Sequence, residues 1–212
     1  AGELLTRFPK VNFLALSPGL LTLDGRNETE EGIDRKLAVH YYGRWRFIRE
    51  LIPALEAAHK AGEDAKVISV LAAKQARGTR NLDDLGLKKH FSVFNAAMAG
   101  PTYNDCMVKG FANRHPGLSF IHSYPGGVYT PLFKKSNTAT IRYAGMLLTP
   151  LIKPFTYTLQ AAGEHQLYAL LKAGPGAKLT DDKGADIPLK EGYFNPDQVD
   201  KAWAHTEEPT SP

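Results

Sequence analysis

The sequence predicts an α/β fold in which helices cover both faces of a parallel β-sheet. Short extended segments alternate with longer segments of helical periodicity, and they lie at residues 11–16, 66–71, 118–124 and 177–180. Strands that are joined through helices of ten or more residues pair in parallel through right-handed crossovers. The Leu, Ile and Val content of the first three strands also fits burial on both faces of the sheet.

The first strand and the first long helix each end at a recognisable terminator. The strand at residues 11–16 ends at Ser17-Pro18-Gly19, which is typical of a turn. From Ile33 onward, apolar residues recur at steps of three and four, which predicts a helix that ends at Gly62. Pro53 is expected to bend this helix because proline cannot donate to the preceding turn.

The middle of the chain repeats the pattern of strand followed by helix. A polar loop is predicted at residues 74–84, after the second strand. A helical stripe with many small residues then runs from Val93 to Phe111, and Pro101 is expected to disturb it. The third strand closes at Pro125-Gly126-Gly127.

The carboxy-terminal part adds helices and one more extended segment. Helices are predicted at residues 138–148 and 156–172, and the fourth strand is followed by a turn at residues 181–184. The final helix, residues 196–206, begins after Asn195 as a capping residue. Residues 1–206 are therefore expected to form one domain, and residues 207–212 a disordered tail.

The composition excludes several classes of function. A chain of 212 residues with 43% hydrophobic and 23% charged residues suits one globular domain. The net charge is +4 without a long basic run, and Arg44, Arg46 and Arg49 are interpreted as a solvated helix face, so no nucleic-acid partner is expected. Cys106 is the only cysteine, which excludes an intramolecular disulfide and cysteine-based zinc sites, and no metal is expected. No apolar stretch is long enough to cross a bilayer, so we expect a soluble cytoplasmic protein without a membrane partner.

Three segments carry distinctive local motifs: residues 39–43, Phe91-Ser92 to Ala96-Ala97, and Pro125-Gly126 to Thr130. These motifs resemble the carboxy-terminal two-thirds of a short-chain dehydrogenase/reductase, in particular a fungal-type NAD(P)-binding member. The resemblance implies a Rossmann-like three-layer fold that lacks its first βαβ units, with the ligand beyond the carboxyl ends of the strands.

The resemblance also implies that the catalytic residues are replaced. The family's Ser, Tyr and Lys correspond to Ala72, Phe91 and Asn95, and its helix Asn corresponds to His40. Phenylalanine has no proton to donate and asparagine carries no charge to lower a phenol pKa, so the family's mechanism cannot operate. Tyr103 lies about 18 Å further along the helix, out of reach of the helix start. His40 remains as a candidate acid or base because imidazole titrates near pH 7.

Candidate cofactor contacts are kept at Gly19, Pro125, Gly126 and Thr130, where the family binds NAD or NADP. The glycine-rich turn that binds the diphosphate of such a cofactor does not occur in the sequence. We therefore expect NAD or NADP to bind this polypeptide weakly or not at all.

Three functions stay open: an NAD(P)-dependent oxidoreductase of carbonyl or alcohol substrates, a non-catalytic binding or assembly protein, and a lyase or isomerase that uses His40. A small-molecule ligand fits all three. The strand at residues 11–16 is expected at an exposed sheet edge. The helix with Ala96, Ala97, Ala99 and Gly100 resembles a subunit interface. A homo-oligomer, or a complex with a missing amino-terminal segment, is therefore expected.

Overall fold

Four parallel strands form the centre of the fold, as the sequence predicts. The computed structural model describes residues 2–74, 83–132, 136 and 138–210. The strands are β1 (Phe13–Leu16), β2 (Lys66–Val70), β3 (Ser119–Ser123) and β4 (Gly176–Thr180), and they pair in the order β1-β2-β3-β4. The register aligns Leu16 with Ser69 and Ser69 with His122, so the carboxyl ends of β1 to β3 lie at one edge.

Seven α-helices surround the sheet in the described part of the chain. They are α1 (Gly2–Arg7), α2 (Arg35–Leu37), α3 (Gly43–Lys60), α4 (Val93–Arg114), α5 (Ala139–Ile152), α6 (Leu159–Lys172) and α7 (Pro196–Thr210). A π-helical segment, Ala38–Tyr42, joins α2 to α3, and a 3₁₀ turn, Lys153–Phe155, follows α5. None of these helices is long and apolar enough to span a lipid bilayer.

Several boundaries differ from the sequence-based expectation. The first long helix begins two residues later than Ile33, because the Asp34 carboxylate accepts the N–H groups of Lys36 and Leu37 as an N-terminal cap. The helix α7 continues to Thr210 and so includes part of the segment expected as a tail, whereas residues 211–212 lie outside the described residues. Residues 75–82 of the predicted polar loop also lie outside them.

The main core lies on one face of the sheet. Val67 and Phe120 point from the strands toward α3, α4 and α7, where large aromatic side chains pack edge to face. The ring of Phe111 lies 5.7 Å from Trp45 and 4.8 Å from Trp203 between centroids. Such buried aromatic pairs add about 0.5–1.5 kcal/mol each beyond the area they bury, so this cluster contributes to the stability of the main core.

The connection from β3 to β4 differs in hand from the other two. The helices α3 and α4 lie on the face of Val67 and Phe120, whereas α6 packs on the opposite face against Ile68 and Ile121. The strand order advances in one direction through all three connections, so a change of face reverses the hand of the crossover. The expectation of right-handed crossovers is therefore wrong for this connection.

The small residues of α4 serve a purpose inside the chain. Ala96, Ala99 and Gly100 are buried, and a Cβ at Gly100 would lie 3.3 Å from the Cβ of His40. Only Ala97 of the four predicted interface residues is exposed. At Gly100 the close approach is therefore to the π-helical segment of the same chain, and association with a second subunit stays a prediction.

Candidate functional site

An apolar groove of about 830 Å³ lies at the carboxyl ends of β1 to β3, on the face that α6 covers only in part. Its floor is the sheet, with Ala15, Ile68 and Val70, and α6 forms one wall through Leu167 and Leu170. The turns after β1 and β3 and the end of α5 complete the lining. Ligand pockets in proteins commonly have such volumes and such apolar linings, and open α/β sheets bind ligands at this edge.

The four predicted cofactor contacts come together in this groove. Gly19, Pro125, Gly126 and Thr130 all line it, although they come from two turns that are far apart in the sequence. Within the described part of the chain, nothing lies within 4 Å of a Cβ placed at Gly19.

The turn after β3 is held by Tyr157, in the segment between α5 and α6. Gly127 accepts the N–H of Tyr157, the carbonyl of Tyr157 accepts the N–H of Tyr129, and the phenol donates to Asp182 Oδ2 at 2.9 Å. The hydrogen bond to Asp182 raises the pKa of Tyr157 because the carboxylate disfavours the phenolate. Gly126 has a φ of +72°, and a Cβ there would lie 2.9 Å from the Tyr157 ring. Glycine at this position therefore allows the ring to close over the turn.

Arg44 is buried at the rim of the groove, with 2% of its surface exposed. Its guanidinium donates to Ser69 Oγ at 2.7 Å, to the Val70 carbonyl at 2.9 Å and to the Pro18 carbonyl at 2.6 Å. Burial lowers the pKa of Arg44 to about 10, so it stays protonated at neutral pH. The interpretation of Arg44 as part of a solvated helix face is wrong. Its position, three residues after Tyr41 and four before Ile48 on the buried stripe, was the available signal.

Gln166 contributes a second buried polar group to the groove. Both its amide nitrogen and its amide oxygen are buried without a hydrogen-bond partner in the described structure. Buried polar atoms in folded proteins nearly always have a partner, and an exception calls for an explanation such as a bound ligand or water. Sequence reasoning missed Gln166, because a single glutamine in a helix carries no signal of burial.

His40 is held as a neutral hydrogen-bond acceptor. Its Nε2 accepts the N–H of Leu20 at 3.0 Å, which places the ring proton on Nδ1. Burial, reinforced by the positive charge of Arg44, lowers the pKa of His40 to about 4. The carbonyl of His40, within the π-helical segment, accepts the amide of Asn104 at 2.7 Å. The residue thus fixes the turn after β1 to the helix, and it does not line the groove.

The three replaced catalytic positions also lie outside the groove lining. Phe91 packs against the main core, and the ammonium of Lys36 lies 5.0 Å from the centre of its ring. Asn95 lies in the first turn of α4, as predicted, and its amide donates to the His90 carbonyl at 2.8 Å. The N–H of Ala72 donates to Nε2 of His122 at 3.3 Å.

His122 belongs to a buried chain of hydrogen bonds that sequence reasoning missed. Its Nδ1 lies 2.6 Å from Asp105 Oδ1, and the phenol of Tyr193 donates to Asp105 Oδ2 at 2.7 Å. Burial raises the pKa of Tyr193, and the negative charge of Asp105 raises it further. Because Nε2 of His122 accepts from Ala72, the His122 Nδ1–H donates to the carboxylate. These hydrogen bonds stabilise the core behind Ala72, the position that corresponds to the family's serine. Sequence reasoning missed them because Asp105, His122 and Tyr193 are too far apart in the sequence to form a motif.

No group of three or more His, Cys, Asp or Glu side chains in the described ranges is arranged to hold a metal ion. Cys106 is partly buried, and burial raises the pKa of its thiol to about 12, so it is not a reactive thiolate at neutral pH.

The fold and the groove define a Rossmann-like α/β protein with an apolar crevice at the carboxyl edge of its sheet. Comparison with curated proteins finds relatives over most of this chain. It is 40% identical over 177 residues to oxidoreductase AN1596 of Emericella nidulans, which covers 83% of this chain and 52% of that protein. It is 32% identical over 154 residues to the short-chain dehydrogenase/reductase SAT2 of Stachybotrys chartarum, and this match covers 69% of this chain and 40% of that protein. The chain thus spans about half the length of the curated relatives it matches, and no protein-family model matches it.

Solved structures show the same fold. The NADPH-bound carbonyl reductase from chicken fatty liver matches with a TM-score of 0.57 at 13% identity, over 89% of this chain and 70% of that one. The chain therefore has the fold of the short-chain dehydrogenases/reductases and is related in sequence to proteins named oxidoreductase. This confirms the resemblance drawn from the residues.

The residues present fit only part of a nicotinamide dinucleotide. Pro125, Gly126 and Thr130, which the resemblance places on the nicotinamide side, line the groove together with Gly19. The sequence has no glycine-rich turn that opens a helix, which is the element that binds the diphosphate through backbone N–H groups.

Proposed function

We propose that this chain is a non-catalytic binding protein with a short-chain dehydrogenase/reductase fold, and that it holds a small molecule in the apolar groove. The observation that carries the proposal is the state of the two proton-transfer positions at the start of α4. Phe91 has no ionisable proton, and the amide of Asn95 is bonded to a backbone carbonyl. Neither position supplies the acid that carbonyl reduction requires.

The surroundings of Phe91 also support a non-catalytic role. The ammonium of Lys36 lies near its ring, yet Lys36 donates to the carbonyls of Asp24 and Gly25 and lies 3.4 Å from the Asp34 carboxylate. This lysine therefore anchors the segment before α2. The methyl group of Ala72 replaces the serine hydroxyl, and its N–H serves the core through His122.

Weak binding of NAD or NADP belongs to the same proposal. Much of the binding energy of a dinucleotide comes from the diphosphate, which needs convergent N–H donors at a helix N-terminus. The groove offers apolar surface and one buried cation in place of such a turn.

A second candidate, an oxidoreductase with a displaced proton donor, is favoured by one observation. Tyr129 lines the groove, and the ammonium of Lys153 lies 5.3 Å from the centre of its ring. A tyrosine beside a lysine is the combination that the family uses, here brought from different elements. By contrast, a lyase or isomerase that uses His40 is disfavoured, because a pKa near 4 and the bond to Leu20 leave its Nε2 neutral and occupied.

The test is a titration of the chain with NADH and NADPH, followed by fluorescence and thermal shift, and then a panel of aldehydes and ketones with absorbance at the nicotinamide band. We expect weak or no dinucleotide binding and no turnover. Turnover that the Tyr129→Phe variant abolishes would establish the second candidate in place of the first. Turnover that survives in Tyr129→Phe would overturn both.

A restoration experiment tests the assignment of the replaced positions. The variant Ala72→Ser/Phe91→Tyr/Asn95→Lys returns the family's three side chains, and Phe94→Tyr/Ala97→Ser, at exposed neighbouring positions, serves as a control. Reductase activity in the first variant alone, under conditions in which a dinucleotide binds, would support the alignment. Inactivity of both variants with a bound dinucleotide would count against it.

A further inference from the structure

We propose that the groove selects an apolar molecule that carries a carboxylate, with Arg44 and Gln166 as its polar contacts. This inference rests on the binding role proposed above and names the class of ligand. It follows from the charge of the groove, from the state of Arg44 and from the state of Gln166.

The groove has one charged side chain. Its lining is formed by the floor and walls described above and contains no Asp or Glu, and Arg44 is the single charged residue among the described residues that line it. The surrounding sequence also lacks acidic residues, since none occurs at positions 106–163, which include the turn after β3, α5 and the first five residues of α6. An anion that enters the groove thus meets a cation and no repelling carboxylate on its lining.

Arg44 has no carboxylate partner in the part of the chain that the structure describes. Its three hydrogen bonds all go to neutral acceptors, namely one hydroxyl and two backbone carbonyls. Its Nε–H is buried and has no acceptor. Burial removes water from the Arg44 guanidinium, and hydrogen bonds to neutral acceptors replace only part of the lost hydration energy. Binding of a carboxylate beside this guanidinium is therefore more favourable than beside an arginine at the protein surface.

Gln166, on the α6 wall of the groove, adds a second unsatisfied donor. Its amide nitrogen and its amide oxygen are buried, and neither has a hydrogen-bond partner in the described part of the chain. A carboxylate accepts several hydrogen bonds, so one head group can take donors from both Arg44 and Gln166. A neutral alcohol can satisfy the amide, but it cannot offset the charge of Arg44.

The rest of the groove fits the apolar body of such a ligand. Leu71, Leu132, Ile152 and Leu159 extend the lining beyond the sheet and α6. A chain of about ten carbons or a fused aromatic ring suits a groove of this volume. The shared chemistry is therefore an apolar acid, of either the aliphatic or the aromatic kind.

The experiment measures binding of decanoate and decanol, and of 2-naphthoate and 2-naphthol, by isothermal titration calorimetry at pH 7.5. We expect at least one acid to bind tenfold or more tightly than its alcohol. The aliphatic and the aromatic pair distinguish the two kinds of body. Equal affinity for acid and alcohol in both pairs, or no binding of any of the four probes, would overturn the proposal.

Two matched pairs of variants test the contacts. Gln166→Leu should raise the melting temperature of the free chain, because it removes two unsatisfied buried atoms, and should weaken acid binding at least fivefold. Gln160→Leu changes an exposed glutamine of the same helix, which is bonded to Glu164, and should leave binding unchanged. Arg44→Met should abolish the preference for the acid, and Arg46→Gln, at a surface ion pair, should not.

The Gln166 result keeps the proposal falsifiable if Arg44→Met fails to fold. A Gln166→Leu variant that is stabilised but binds the acid as tightly as the unmodified chain would overturn the assigned contact. These outcomes are independent of the reductase assay: turnover of NAD(P)H would overturn the non-catalytic role and leave the preference for acids intact.

Discussion

Replacement of Gly126 by alanine tests whether the turn after β3 depends on close packing of Tyr157. The backbone at Gly126 has a φ of +72°, in the left-handed region, which costs a residue with a Cβ about 1–2 kcal/mol. The new Cβ would also lie 2.9 Å from Cε2 of Tyr157 and 3.0 Å from Cβ of Asp182. The Tyr157 ring cannot easily retreat, because its hydroxyl donates to Asp182 and its edge packs on His165 at 5.2 Å.

The two costs add to a predicted loss of about 3 kcal/mol in the free energy of unfolding, with overpacking contributing about 1–3 kcal/mol of it. For a chain of this size, such a loss lowers the melting temperature by roughly 6–12 °C. Urea unfolding followed by circular dichroism measures the free energy, and differential scanning fluorimetry measures the melting temperature.

Gly127 provides the matched control for this prediction. A Cβ at Gly127 would lie 3.6 Å from Cγ2 of Thr156, an ordinary contact, so Gly127→Ala should change stability by less than about 0.5 kcal/mol. The double variant Gly126→Ala/Tyr157→Ala should lack most of the loss in unfolding free energy that the clash with the Tyr157 ring causes. A double-mutant cycle measures this difference as a coupling free energy between the two positions. Equal losses at the two glycines, or zero coupling between Gly126 and Tyr157, would refute the packing argument.

Three further predictions concern pH, packing and association. Because burial holds the pKa of His40 at about 4, below its unfolded value, the unfolded state binds more protons between pH 6.5 and 4. The free energy of unfolding should therefore fall by up to about 3 kcal/mol over that range, and His40→Asn should reduce this slope in urea titrations. Gly110→Ala should cost about 1–3 kcal/mol in the same assay, because its Cβ would lie 2.7 Å from the Trp203 ring, and a null result would contradict the model of the α4–α7 contact. We propose that the chain associates through the β1 edge and the apolar surface of α5, where Leu147 is 76% exposed. Light scattering at micromolar concentration should show a dimer or larger species that Leu147→Glu weakens and Phe94→Glu does not, whereas a 23 kDa monomer would contradict association.

The strand order could be predicted from the sequence because strands end at Pro- and Gly-containing turns, which are easy to recognise. Ser17-Pro18-Gly19 and Pro125-Gly126-Gly127 mark turns, and helical periodicity fills the intervals between strands. The hand of the last crossover was not accessible in this way. It depends on which face of the sheet α6 covers, and Ile68 and Ile121 show no difference from Val67 and Phe120 in a one-dimensional pattern.

The candidate site was predicted in part. Gly19, Pro125, Gly126 and Thr130 were found because the resemblance aligned two short turns, and the fold brings them to one groove. Gln166 was missed because its importance lies in the absence of partners, which is a property of packing and not of residue type. Arg44 was missed because it was grouped with Arg46 and Arg49 as a charged helix face, although its place on the buried stripe was visible in the sequence. An acid or base role was considered for His40 because a free imidazole titrates near neutral pH. Burial lowers the pKa of His40 to about 4, and this change could not be deduced from the residue type.

The unequal cover of the two sheet faces has a consequence for local opening. On one face, α3, α4 and α7 enclose an aromatic cluster. On the other face, the buried cluster in the described part of the chain consists of Ile68 and Ile121 from the sheet, Ala169 and Leu170 from α6, and Ala173 just after it. The free energy needed to detach α6 should therefore be well below that of global unfolding. Amides of α6 should exchange with deuterium sooner than those of α4. Since α6 also forms a wall of the groove, an occupant that bridges α6 to the sheet edge should slow that exchange selectively, so that ligand binding is visible as a change in the dynamics of one helix.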